Sequence, residues 1–202
     1  MQVAATRTKR KRVSKRPEDR IDDLIQAAMV VFRRQDFDSA TVADIVDQAG
    51  VAKGTFYLYF KSKDDLLALT WNQYLDGLIQ RAEVAATGPT WLNDLVETMI
   101  RFAVENADLH RLVYGSANAK ALEMCRRAND TAIDKIAKRV EAMTEPNSLA
   151  PLDVDSTVRM IYHGTHGLMH DLMARDRNVD IDRTVALSQE FARRLITPVP
   201  AS

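Results

Sequence analysis

From Ile21 to Leu195 the apolar residues of this chain return at helical intervals with few interruptions. Glycine and proline number only 7 and 6 in 202 residues, so tight turns are scarce and long helices are favoured. Ile21, Leu24, Ile25, Ala28 and Phe32 share one face of a first helix. Pro17, Glu18 and Asp19 start it, because proline suits the first turn and carboxylates suit the positive end of the helix dipole. The helix ends near Gln35. Thr41 caps a short second helix bearing Val42, Ile45, Val46 and Ala49, and Gly50 supplies the left-handed backbone that ends it. A third helix begins near Ala52. Ser62 caps a fourth whose Leu66, Leu67, Trp71, Tyr74, Leu75 and Leu78 carry it to about Ala85, before Gly88 and Pro89.

The periodicity continues beyond that break. Trp91, Leu95, Met99, Phe102 and Ala103 predict one helix, and Leu109, Leu112 and Val113 a short following one. Leu122, Cys125, Ala128, Ala132, Ile136, Val140 and Met143 predict another, and residues 144–152, with two prolines, a loop. Next, Val158, Ile161, Thr165, Leu168 and Leu172 line one face while Tyr162, His166, Met169 and Met173 line its neighbour. So broad an apolar surface needs more than one partner, and Gly164 and Gly167 allow another backbone close. With a last helix near Asp182 to Ile196, two helices from each of two subunits can form a four-helix interface, so a homodimer through the last two helices is expected. The fold class is all-α.

Formal charge is zero overall but unevenly spread. Residues 1–17 hold seven basic side chains and no acid, and residues 1–63 hold 13 basic and 8 acidic groups, a surplus that the remainder reverses. Residues 1–16 are expected to be a flexible basic arm. No apolar run approaches the ~20 residues that cross a bilayer, so a cytoplasmic protein without membrane contact is expected. Cys125 is the only cysteine, which rules out an intrachain disulfide and reads as a small apolar residue on a buried helix face.

Residues 41–63, TVADIVDQAGVAKGTFYLYFKSK, place two tyrosines and three lysines on and just after a short helix. Val51, Phe56 and Phe60 can face a core, leaving Lys53, Thr55, Tyr57 and Tyr59 to point outward. Hydroxyls and ammonium groups are the usual donors to phosphate oxygens, and two helices joined by a tight glycine turn are the pattern of a helix-turn-helix that enters the major groove. Beside a basic arm, these groups form one electrostatic footprint for double-stranded DNA.

The segment resembles the N-terminal DNA-binding domain of TetR-family regulators: Thr41, Ile45, Ala49, Gly50, Val51, Ala52, Gly54, Tyr57, Tyr59, Phe60, Lys63 and Leu66 match that pattern. Ala52 stands where the family usually has serine, so a capping hydroxyl is missing. The resemblance implies a three-helix DNA-binding domain at residues 17–63 and a helical effector-binding and dimerisation domain at residues 64–202. It implies that Thr41, Tyr57, Tyr59 and Lys63 contact phosphates and that Lys53, Gly54 and Thr55 lie nearest the base edges. Arg10, Lys11, Arg12 and Lys15 of the arm can follow the phosphates or enter the minor groove. It implies a palindromic operator and release by a small molecule, that is, a ligand-responsive repressor.

Trp91, Met99, Phe102, Tyr114, Met124, Tyr162 and His166 are the candidate effector contacts, being aromatic, polarizable or both and lying on the middle helices. His163, His166 and His170, at offsets of three and seven, fall on roughly one helix side, where imidazoles can bind zinc. No cysteine lies near them, and lining a dimer seam is the plainer role, so no metal or other cofactor is assigned. A helical metalloenzyme using these histidines with Asp171 finds no supporting motif: there is no Glu-x-x-His pair, no nucleophile with a base and no phosphate loop. The chain reads as a non-enzyme. An architectural DNA-binding protein without an effector differs from the leading reading in needing no ligand cavity.

Overall fold

The computed structural model describes residues 16–85, 91–143, 153–175 and 180–196. They form helices α1 (Pro17–Arg34), α2 (Val42–Ala49), α3 (Lys53–Tyr57), α4 (Lys63–Ala85), α5 (Trp91–Glu105), α6 (Ala107–Arg111), α7 (Ala119–Met143), α8 (Val154–Arg175) and α9 (Ile181–Ile196). No strand occurs among the described residues, as the all-α reading requires. The basic arm and the expected loop at residues 144–152 lie outside them.

Local chemistry sets the helix ends. Pro17 opens α1 with Glu18 and Asp19 in its first turn. At α2 the Thr41 side chain accepts from the Asp44 N–H at 3.2 Å, and the Asp44 carboxylate accepts the Thr41 N–H at 2.8 Å. The threonine cap is thus half of a reciprocal capping box, with Asp44 supplying the other half. Gly50 ends α2 at φ 64°, the left-handed conformation that its sequence position predicts. Ser62 caps α4 by accepting the Asp65 N–H at 3.2 Å.

Two departures from the expected elements matter for function. Helix α3 is only five residues long, and its N-cap, Ala52, makes no side-chain hydrogen bond, as the missing hydroxyl foretells. The short helix expected around Leu109 ends at Arg111 and continues as a single π-helical turn, Leu112–Ser116, closed by the Ala117 N–H on the Leu112 carbonyl at 2.8 Å. Such a turn holds one residue more than an α-turn and redirects the side chains it carries.

Two apolar clusters make the core. One runs from Leu24 on α1 through Phe56, Phe60, Trp71, Leu109 and Val113 to Ala132 on α7. The other joins Leu78, Trp91, Met99, Ile133, Tyr162 and Ala192. Helix α4 enters both, giving Leu66, Leu67 and Trp71 to the first and Leu78 and Ala82 to the second. It packs along α5 and α7, while α9 covers α5 and α8. At 23 residues α4 is about 34 Å of rigid rod between the N-terminal helices and the second core.

A Cβ at Gly50 would meet nothing within 4 Å, so an alanine there costs backbone strain alone. Gly50→Ala is expected to lower stability by about 1 kcal/mol, read as a fall in the urea midpoint with an unchanged slope.

Candidate nucleic-acid interface and effector region

Phe56 is fully buried and Phe60 nearly so, with Val51 packed partly behind them. Anchored by these side chains, α3 leaves Lys53 and Gly54 exposed, Thr55 half-buried and Tyr57 53% exposed. Nothing stands within 4 Å of a Cβ placed on Gly54, so the helix surface there is open to a partner. Tyr59 is half-buried and packs against the core while keeping part of its ring outside. Leu58, which the sequence pattern does not single out, is 79% exposed at the end of α3. An apolar residue beside lysines and a tyrosine suits the methyl and sugar surfaces of a groove.

Thr41 and Lys63 are engaged within the protein. Thr41 donates its hydroxyl to Asp44 at 2.7 Å, and this bond, with that of the Thr41 N–H and one from Gln35, holds the Asp44 carboxyl below its ordinary pKa. The Lys63 ammonium donates to the carbonyls of Phe37, of Asp38 at 2.9 Å and of Ala40 at 2.9 Å, and lies over the Phe37 ring. Three carbonyls take its three N–H donors. In this geometry Lys63 ties the α1–α2 turn to the start of α4. Arg10 and Arg12 lie outside the described residues.

The seven candidate effector contacts separate into distinct environments. Trp91 and Met99 are buried in the second core, with the Arg139 guanidinium over the Trp91 ring at 4.9 Å. Phe102 borders an open groove of about 880 Å³ between α4 and α5, whose walls include Gly77, Arg81, Thr98 and Arg101. Its ring lies between the Arg81 guanidinium, 4.5 Å away, and Tyr74, stacked at 4.9 Å. Met124 is half-buried on α7 and belongs to neither core cluster. Only Tyr114, Tyr162 and His166 converge, with the His166 ring 5.0 Å from Tyr114 and 5.5 Å from Tyr162.

A residue that sequence reasoning misses organises this convergence. The buried Asn129 amide on α7 accepts from Trp71 Nε1 at 2.8 Å and from the Tyr162 hydroxyl at 3.2 Å, and donates to the Tyr114 hydroxyl at 2.8 Å. Burial pushes the Tyr114 hydroxyl up to about 12 and that of Tyr162 well above its ordinary value, so both stay protonated. The same cause raises the Cys125 thiol to about 12, in keeping with an inert buried residue.

The histidines also regroup. His163 is exposed and meets Tyr162 edge-on, whereas His110 of α6 joins His166 and His170. This corrects the expected set: position 163 turns outward on α8, and a residue 60 positions from His170 takes its place. One ring nitrogen from each of His110, His166 and His170 lies within 4.8 Å of the other two, and His110 Nδ1 is 3.2 Å from His170 Nε2. His110 is completely buried, with its ring edge-on to Trp71 and Tyr74. Burial, then the neighbouring imidazoles, pushes His110 down to about 2 and His166 down to about 3; burial lowers His170 as well. The two glycines of α8 differ in their surroundings. A Cβ on Gly164 would stand 3.1 Å from Phe191 of the same chain, so that glycine admits an α9 side chain, while Gly167 opens on empty space.

A short exposed helix behind a glycine turn, carried on a buried three-helix base, defines a helix-turn-helix protein with an all-helical second part. Residues 24–69 match the model of the bacterial regulatory proteins, tetR family. The HTH-type transcriptional repressor KstR2 of Mycolicibacterium smegmatis is 37% identical over 65 residues, 32% of either chain. That match, like those with two other curated regulators, spans about a third of the relative's length. UidR of Escherichia coli K12, an HTH-type transcriptional regulator, is 23% identical over 159 residues, 76% of this chain and 81% of its own. The solved structure of the fatty acid degradation regulator FadR from Bacillus halodurans superposes with TM-score 0.67 at 20% identity, covering 89% of this chain and 96% of that one, which speaks to fold. Residues 24–69 are thus a DNA-binding domain of the tetR type. No described helix is long and apolar enough to cross a membrane.

Asn129→Leu leaves the Trp71 N–H and the Tyr162 O–H buried without an acceptor, and a loss of about 3 kcal/mol in denaturant stability is expected. The histidines set a pH dependence whose sign comes from their lowered values. The unfolded chain, with imidazoles near 6.5, binds more protons below that pH than the folded one, so stability is full above it and falls on acidification towards about 3. In metal-free buffer the loss should steepen towards roughly 2–3 kcal/mol per pH unit for two such groups, and His110→Phe should make it shallower.

Proposed function

We propose that this protein is a cytoplasmic, ligand-responsive repressor that binds a palindromic operator as a homodimer and leaves it when a small molecule binds. The observation that carries this reading is α3 itself: Phe56 is fully buried beneath it while Lys53, Gly54 and Tyr57 are exposed above. On this reading Lys53, Gly54 and Thr55 approach base edges, Thr41, Tyr57 and Tyr59 meet phosphates, and Arg10 and Arg12 extend the footprint along the backbone. Lys63 acts one step back by fixing the α1–α2 turn against α4.

Dimerisation through α8 and α9 is supported by the apolar side chains those helices leave outside: Met160, Leu168, Leu187 and Phe191 are 39–56% exposed. A dimer built there must hold its two α3 helices ~34–36 Å apart to enter successive major grooves. An effector entering between α4 and α5 displaces Phe102, and with it Tyr74, whose ring stacks on Phe102. Because α4 continues into the DNA-binding helices, tilting it changes that separation. The ligand needs only to prefer the tilted state.

Selection of bound fragments from random duplex DNA should return a palindrome. Lys53→Ala should relax preference at one base position by about 1–3 kcal/mol, whereas Tyr57→Phe should weaken all sites alike by about 1 kcal/mol. Removing residues 1–16 should flatten the salt dependence of binding. Absence of any duplex capture at low ionic strength would overturn the assignment.

A further inference from the structure

Neutral imidazole carries one donor and one acceptor nitrogen, and both need partners when buried. In the cluster beside Asn129, one contact, His110 Nδ1 to His170 Nε2 at 3.2 Å, serves two of the six ring nitrogens. His110 Nε2 and His166 Nε2 are buried with no hydrogen-bond partner. Each such nitrogen carries an uncompensated desolvation penalty that phenylalanine or leucine in the same space would avoid. Plain core packing therefore does not account for three histidines meeting here.

We propose that His110, His166 and His170 form a binding site for a divalent transition-metal ion, zinc foremost. His166 and His170 stand one helical turn apart on α8, the spacing at which two imidazoles from one helix reach a shared ion. His110 is brought to them from α6. Zinc–nitrogen bonds of 2.0–2.1 Å in a tetrahedral shell place ligand nitrogens about 3.3 Å apart. The His110–His170 pair already has that separation, and the 4.8 Å limit on the set leaves at most ~1.5 Å for side-chain rotation to close. The trio offers no thiolate or carboxylate, a donor set that suits zinc, copper or nickel over magnesium or calcium.

The surroundings fit a metal centre. Trp71, Tyr74, Tyr114 and Tyr162 wall the cluster with rings, Tyr114 lying 4.2 Å from the His170 ring. Such a shell keeps water away from the metal–nitrogen bonds and fixes ring orientation. His170 is only half-buried and gives a route in from solvent. Three protein ligands leave a fourth position for water or an outside oxygen donor. The site does not depend on the DNA-binding reading, since it is built from α6 and α8 alone.

The test uses the full chain, stripped with a chelator and titrated with zinc by calorimetry. One ion per protomer and a raised melting temperature that chelator reverses are expected. Cobalt substituted for zinc should give the visible absorption of a four-coordinate ion. His166→Gln and His170→Gln should each weaken zinc binding at least about 100-fold, while His163→Ala, on the same helix but exposed, should leave it unchanged. Should the variants fold poorly, X-ray absorption of the zinc-loaded unaltered protein decides, with three imidazole donors expected. No zinc-dependent change in melting temperature, binding lost with His163→Ala, or a shell lacking imidazole would overturn the site.

Discussion

The carboxamide of Asn129 is the polar contact on which the arrangement of the second part of the molecule depends. Its oxygen accepts from Trp71 on α4 and Tyr162 on α8, and its nitrogen donates to Tyr114 on the π-helical turn. An amide inside an apolar core is tolerated only when its groups are paired, and the pairing is directional. Leucine contacts alone would let α4, α7 and α8 slide; this network fixes their register. Every aromatic group that walls the histidine cluster, Tyr74 excepted, is oriented by that one side chain, so the packing of the site and the packing of the fold are one problem.

Helix α4 carries that order towards the DNA-binding helices. Its N-terminal turn is held by Lys63 to the α1–α2 turn and by Asp64, which accepts from Asn118 and Lys120 at 3.2 Å each. Two turns further on, Trp71 reaches Asn129, and Tyr74 touches both His110 and Phe102. A second route joins α1 to α6 through Arg33 and Asp108 at 2.8 Å, although both are about half exposed and such a pair contributes at most ~1 kcal/mol. Buried packing along α4, rather than surface charge, is therefore the stiffer connection.

Much of this is legible in the sequence because the signals are local. Proline at the start of α1, threonine before α2, glycine after it and serine before α4 each act within one helical turn, and the structure places each where its chemistry requires. The division of residues 51 to 60 between Phe56 and Phe60 inside and Lys53 and Tyr57 outside is readable for the same reason, since period alone decides it. The features that escape are long-range. Asn129 looks like an ordinary polar break in an amphipathic helix, and nothing within a few residues reveals that three aromatic groups will converge on it. His110 sits between Leu109 and Arg111, with Asp108 just before them, so its immediate neighbours give no sign of its burial or its partners. Lys63 matches a family position, yet its three carbonyl acceptors come from a turn more than twenty residues away.

The π-helical turn at Leu112–Ser116 carries a further meaning for how this chain tolerates change in length. A regular helix advances 100° per residue, so the additional residue held in that turn sets the phase of the side chains beyond it. Tyr114 lies inside the turn and owes its bond with Asn129 to that phase. Shortening the segment by one residue would restore ordinary winding and swing the phenol about a third of a revolution away from the amide. Substitutions there act by volume, whereas insertions and deletions act by rotation, and the junction between α6 and α7 is accordingly a place where chain length is itself a structural variable.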